Sequence, residues 1–221
     1  MTEPTRPVPP PSAAEQSAAE QTPAARAGAV IFRNRGWLPV LFLGLPLLWP
    51  SGPGRWHAHM ESRWWIVGLL LIVIGEAIRM AGVAAAGTVT RRRSRTVQRL
   101  VTYGAFAWSR NPLYNGNFLI WLGFGVISGV LWYLPVAIVL FAIEYTLIVR
   151  YEEGVLESIF GVEYLEYKGR TRRWIPRPPG AGAAGEHHWA EAWKSEISTF
   201  LQYAALIVGF VAKQKYFGDG Y

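Results

Sequence analysis

Apolar residues along this chain gather into blocks long enough to be measured against a lipid bilayer. Segments rich in arginine, glycine and proline separate them. A helical span needs about 20 residues, and residues 64–86 meet that length with Trp64 and Trp65 at one end as interface markers. Residues 36–49 are apolar but short, and Pro39 and Pro46 bend whatever helix forms there. Starting that segment near Ala27 supplies the length but brings in Arg33 and Arg35. Residues 118–149 form a block too long for one helix and short for two full spans, with a turn predicted at Leu131-Trp132-Tyr133-Leu134-Pro135. That pattern predicts a helical hairpin. Residues 197–212 form the last apolar segment, preceded by residues 186–194, which are expected to lie in the interface.

The pattern therefore predicts an all-α integral membrane bundle of about five transmembrane segments, including the hairpin, with a cytoplasmic cofactor-binding region. Residues 1–27 are rich in Pro, Ala, Glu, Gln and Ser and are expected to be a disordered tail without a signal peptide. Residues 28–179 form the membrane core, residues 180–196 a linker and interfacial segment, and residues 197–221 a C-terminal membrane helix and tail. The loop carrying Arg91, Arg92, Arg93, Arg95 and Arg99 and the segment after Val149 are both basic, which assigns both to the cytoplasm.

Composition sharpens this picture. The chain is 51% hydrophobic, only 17% charged, and carries 11 Trp. Soluble proteins are about 25% charged. The absence of cysteine excludes disulfides, thiolate metal sites and thiol nucleophiles. The net charge of +7 lies beside apolar blocks, the pattern of membrane orientation, so no nucleic-acid partner is expected. His57 with His59 and His187 with His188 are loop histidines without further ligands at metal-site spacing, so no metal is expected.

Three ionisable residues fall inside apolar blocks, where charge is costly and marks an interior or a wet cavity. Glu76 and Arg79 are three apart and can pair on one helix face. Glu144 shares a face with Ile148 and Glu152 at fourth-residue steps.

The chemistry-bearing stretch is Leu100-Val101-Thr102-Tyr103-Gly104-Ala105-Phe106-Ala107-Trp108-Ser109-Arg110-Asn111-Pro112-Leu113-Tyr114-Asn115-Gly116. Pro112 keeps Asn111 out of the helical region and breaks the backbone beside a membrane helix. Non-helical backbone at that depth is buried in protein or lines a cavity, and backbone groups with Tyr114 and an Asn amide suit a polar nucleotide-like ligand. A second stretch holds Glu152-Glu153-Gly154-Val155-Leu156, then Phe160-Gly161, Tyr164 and Tyr167, and closes at Trp174-Ile175-Pro176.

Together the two stretches resemble the membrane methyltransferases of the isoprenylcysteine carboxyl methyltransferase and phospholipid N-methyltransferase group. The resemblance covers residues 79–176. It implies S-adenosylmethionine as cofactor and a lipophilic small molecule or lipid as substrate. Its cofactor contacts carry over to Gln98, Arg99, Leu100, Val101, Phe106, Asn111, Pro112, Leu113, Tyr114 and Glu152. Glu153 and Glu144 are candidate catalytic bases and Arg150 a candidate substrate group. Prenylcysteine enzymes have His, Tyr and His where Gln98, Phe106 and Asn111 stand. They also place a substrate arginine where Ile148 stands, and Arg150 is displaced by two residues, which argues against a prenylcysteine carboxylate. The rival expectations are an NADPH-dependent reductase of the sterol reductase type, which shares an Arg-x-Pro-x-Tyr-x-Gly element, and a non-enzymatic membrane scaffold.

Overall fold

In a computed structural model the described residues are 30–31, 38–48, 61–87, 99–130, 132–179 and 184–217. Gln98, His57, His59 and residues 1–27 lie outside them. The described residues form helices and loops, without strands. The helices are α1 (Leu38–Leu48), α2 (Glu61–Ala86), α3 (Ala105–Trp108), α4 (Pro112–Ile127), α5 (Tyr133–Phe160), α6 (Val162–Arg170) and α7 (Trp189–Phe217).

Among the described residues three helical stretches are long and apolar enough to cross a membrane: Ser62–Ala86, Tyr133–Phe160 and Trp189–Tyr216. At 16 residues α4 falls short of a full span, and α1 has 11. Much apolar surface faces outward, including Ile66, Leu70, Val73, Val139, Ile143, Leu201 and Val208. A soluble monomer does not carry apolar surface on that scale, and lipid accommodates it.

The closest packing joins α2 to α4. Gly68 faces Gly123 and Gly75 faces Gly116, so the helices run antiparallel. A Cβ on Gly75 would stand 2.6 Å from the Gly116 carbonyl oxygen, and one on Gly123 would stand 2.6 Å from the Gly68 oxygen. The seven-residue spacing of each pair keeps both glycines on one face. Bare backbone then meets bare backbone, the means by which membrane helices approach closely.

The chain reverses at Ser128 and Gly129, slightly before the expected site of the hairpin turn. Gly129 reverses the chain at φ 69°. The Ser128 hydroxyl donates to the Gly125 carbonyl (2.6 Å) and accepts from the Val130 N–H (3.1 Å). Pro135 lies in the first turn of α5, where its missing N–H has no intrahelical partner to lose. A core of Leu43, Ile72, Ile120, Trp121, Phe124, Ile127, Phe141, Tyr145, Ile148 and Phe210 joins α1, α2, α4, α5 and α7.

Helix α7 runs unbroken from Trp189, so the stretch expected in the interface and the stretch expected to span form one helix. It lies antiparallel to α2, with Trp65 donating to Gln214 (2.8 Å) at one end and Arg79 donating to Glu196 at the other. Lys213 donates to the Pro46 carbonyl (2.6 Å), satisfying a carbonyl at the C-terminal end of α1.

Candidate functional site

The site assembles where α4 begins, α5 ends and the chain leaves α6. Asn111 precedes α4 in a non-helical conformation (φ −127°, ψ 55°), and Pro112 opens the helix. Proline suits that first position because its fixed φ is helical and no N–H is required. The Asn111 side chain turns away from the helix it precedes and donates to the Arg173 carbonyl (3.0 Å). Asn115, one turn on, donates to the Trp174 carbonyl (2.8 Å) and to Ser109 Oγ (3.0 Å). Ser109 donates to the Arg173 carbonyl (3.1 Å).

These bonds pull residues 171–177 across the start of α4. Backbone bonds from Arg110 to Arg172 and from Arg177 to Trp108, each 2.9 Å, complete the strap.

Tyr114 donates to both carboxylate oxygens of Glu152 (2.8 and 2.9 Å). The first turn after the Asn-Pro bend and the twin glutamates therefore meet, through Tyr114 and Glu152, 38 residues apart in sequence. Charge-assisted bonds of this kind are stronger than neutral ones. The Tyr114 ring also packs on Tyr145, with centroids 4.8 Å apart.

Glu153 has a different environment. It accepts from Arg110 (2.9 and 3.2 Å) and from Arg173 (2.6 and 3.1 Å). Arg110 also donates to the carbonyls of Lys168 (3.0 Å) and Thr171 (2.6 Å). Its guanidinium thus fastens α5, α6 and the strap together. The hydrogen bonds to Glu153 hold the Arg173 guanidinium above its ordinary value, against a smaller opposing effect of burial.

Beneath the strap, Tyr167 donates to the Phe106 carbonyl (2.8 Å). Burial pushes the Tyr164 and Tyr167 phenols well above their usual value.

The loop before α3 packs on the end of α2. Leu100, Val101 and Thr102 are half-buried and make no backbone hydrogen bond among the described residues. Tyr103 anchors the loop by donating to the Ala85 carbonyl (2.9 Å), and Arg99 donates to the Tyr103 hydroxyl. Leu113 points the other way and packs with Met80, Val83 and Ala84 of α2.

Arg150 is exposed. Glu144 is buried, at 5% exposure, and neither of its oxygens has a hydrogen-bond partner among the described residues. It stands eight residues before Glu152, or about 12 Å along the helix, so it does not join the Tyr114–Glu152 pair.

Sequence reasoning missed the clamping roles of Arg110, Asn115, Arg173 and Ser109. Arg110 and Asn115 lie inside the quoted motif, but their acceptors are largely backbone carbonyls, which carry no sequence signature. Among the described residues no group of three or more His, Asp or Glu side chains could hold a metal.

A model of the phospholipid methyltransferase family matches residues 64–163. The chain is 34% identical over 127 residues to the protein-S-isoprenylcysteine O-methyltransferase A of Arabidopsis thaliana, covering 53% of this chain and 62% of that protein. It is 34% identical over 130 residues to the human protein-S-isoprenylcysteine O-methyltransferase, covering 55% and 44%. It is 30% identical over 154 residues to the cobalt-zinc-cadmium resistance protein CzcN of Cupriavidus metallidurans, covering 68% of each chain.

The chain belongs to the isoprenylcysteine carboxyl methyltransferase-like family.

The match spans about three-fifths of the length of the plant methyltransferases. The family model ends at residue 163, before the strap and before α7. No solved structure matches the chain.

Proposed function

We propose that this chain is a multi-pass membrane methyltransferase that takes a methyl group from S-adenosylmethionine and gives it to a lipophilic or membrane-embedded acceptor. The observation that carries the reading is the Tyr114–Glu152 pair beside the Asn111-Pro112 bend, in a chain of this family. The residues fit a nucleoside cofactor on two grounds. Leu100, Val101 and Thr102 offer unpaired backbone donors and acceptors among the described residues, and Glu152 offers a carboxylate held by Tyr114. A carboxylate of that kind suits ribose hydroxyls or an amino group. The proposed cofactor residues are Gln98, Arg99, Leu100, Val101, Phe106, Asn111, Pro112, Leu113, Tyr114 and Glu152, with Leu113 acting through its seat against α2.

When bound, the cofactor supplies an electrophilic methyl on a sulfonium. The protein's part is alignment of that methyl with the acceptor, and positioning alone can supply much of the rate. An amine or hydroxyl acceptor must give up a proton. Of the candidate bases, Glu144 has no partner among the described residues, whereas Glu153 is committed to two arginines. Glu144 and Glu153 stay the two candidate proton acceptors, Glu144 standing about 12 Å along the helix from Glu152 and Glu153 also holding the strap. Arg150, exposed in the C-terminal half of α5, suits an acceptor's anionic group. The basic strap and the arginine loop favour a cytoplasmic site. Five apolar segments, with α1 and α4 as the short ones, fit a bundle thinned around that site.

Equilibrium binding to the detergent-purified protein tests the reading. Saturable binding of S-adenosylhomocysteine, with none of NADPH, is the expected result. The reverse preference would assign the chain to the reductases, and binding of neither would leave a scaffold. Labelled cofactor incubated with membranes should yield a labelled lipophilic product. Unchanged turnover in both Glu144→Gln and Glu153→Gln would remove the base assignment.

A further inference from the structure

Helix α7 lies beyond the region matched by the family model, yet it places a fully buried carboxylate against the family core. Glu196 is 0% exposed. It accepts two hydrogen bonds from Arg79 of α2, at 3.0 and 3.1 Å. Glu76 pairs with the same guanidinium (3.3 Å) and accepts from Tyr203 of α7 (2.9 Å). The other end of the Arg79 guanidinium donates to Asn117 of α4. Asn117 in turn donates to the Tyr145 hydroxyl of α5 (3.1 Å). Tyr145 packs on Tyr114, and Tyr114 holds Glu152.

Charges inside a membrane bundle are expensive unless each has a partner. Removing one member of a buried pair therefore moves the others. Every link in this series is a direct contact, and the series runs from α7 through α2 and α4 to the pair at the candidate site. The Asn117 amide is its narrowest point, because it joins the charged cluster to the aromatic stack. Arg79 also lies against Gly116, at the close crossing of α2 and α4, so a shift of its side chain acts on the helix that carries Tyr114.

We propose that Glu196 is a positioning residue for the Tyr114–Glu152 pair, acting through Arg79, Asn117 and Tyr145. Helix α7 is then part of the site's machinery rather than an added anchor. This inference rests on the reading of that pair as a cofactor site. The coupling itself can also be measured without any ligand.

The test uses the full chain in lipid nanodiscs, with wild type, Glu196→Gln, Tyr114→Phe and their double variant. S-adenosylhomocysteine affinity is measured for each, together with backbone hydrogen exchange in unliganded protein. Glu196→Gln should weaken binding about tenfold, and the double variant should bind no more weakly than the worse single variant, as coupled sites do. Exchange in residues 112–117 should rise in Glu196→Gln. Asn117→Ala leaves all three charges in place and should reproduce both effects; it decides the matter should Glu196→Gln fail to fold. Affinity losses that multiply in the double variant would overturn the proposal. So would a lower melting temperature with wild-type affinity and wild-type exchange in α4. If wild-type protein does not bind S-adenosylhomocysteine, the methyltransferase reading fails, while the exchange at α4 still decides whether α7 sets the geometry of Tyr114.

Discussion

Glu152 and Glu153 are neighbours in sequence with different tasks, and their partners account for the difference. Glu152 faces Tyr114, whereas Glu153 sits between Arg110 and Arg173. Glu153→Gln leaves Arg110 buried without its counter-charge. The expected cost is about 3 kcal/mol, read as a lower melting temperature by tryptophan fluorescence in detergent. The pattern Glu-Glu is plain in the sequence, and the two were given separate roles there, but the arginine partners of Glu153 were not legible. Arg110 and Arg173, which make the distinction, are 63 residues apart and converge only in the fold.

Tyr167 gives a pH-dependent signature. Burial raises its folded value above the unfolded value of about 10. Its contribution to stability is then full below about pH 10 and is lost as pH rises through the folded value. Tyr167→Phe should flatten part of the alkaline fall in melting temperature. At neutral pH it should cost about 1 kcal/mol for the bond to the Phe106 carbonyl.

At the scale of elements, hydropathy disclosed the long helices because bilayer thickness leaves few alternatives for such blocks. It misplaced the hairpin turn by a few residues, because a proline in the first turn of a helix reads as a breaker and is tolerated there. The recurrence of Gly68, Gly75 and Gly82 every seven residues is also present in the sequence, and it marks the α2 face that meets α4. Gly75→Leu should drive a side chain into the Gly116 carbonyl. The expected destabilisation is about 3 kcal/mol, at the upper end of ordinary overpacking because backbone cannot repack. Gly154→Ala, at a position with open space around it, should leave the melting temperature nearly unchanged. Equal melting temperatures for Gly75→Leu and wild type would refute the close crossing.

For the molecule as a whole, the two motif stretches were legible because each is continuous in sequence, and the fold joins them at the Tyr114–Glu152 pair. The strap of residues 171–177 and the clasp of α7 were not legible. The strap is held largely through backbone carbonyls, and Glu196 lies on a helix whose polar residues read as interfacial until their partners are known. The strap ties the chain after α6 to the start of α4, and α7 ties to Arg79 of α2; the site itself is the contact of the start of α4 with the later part of α5. The account stands or falls on what that contact holds. Calorimetric titration of S-adenosylhomocysteine into purified wild type and Glu152→Gln tests this directly. The account predicts one saturable site in wild type, and binding at least about tenfold weaker in Glu152→Gln under conditions where both proteins are folded, as loss of a charge-assisted bond implies. Equal affinities in the two proteins, or no saturable binding in wild type, would contradict it.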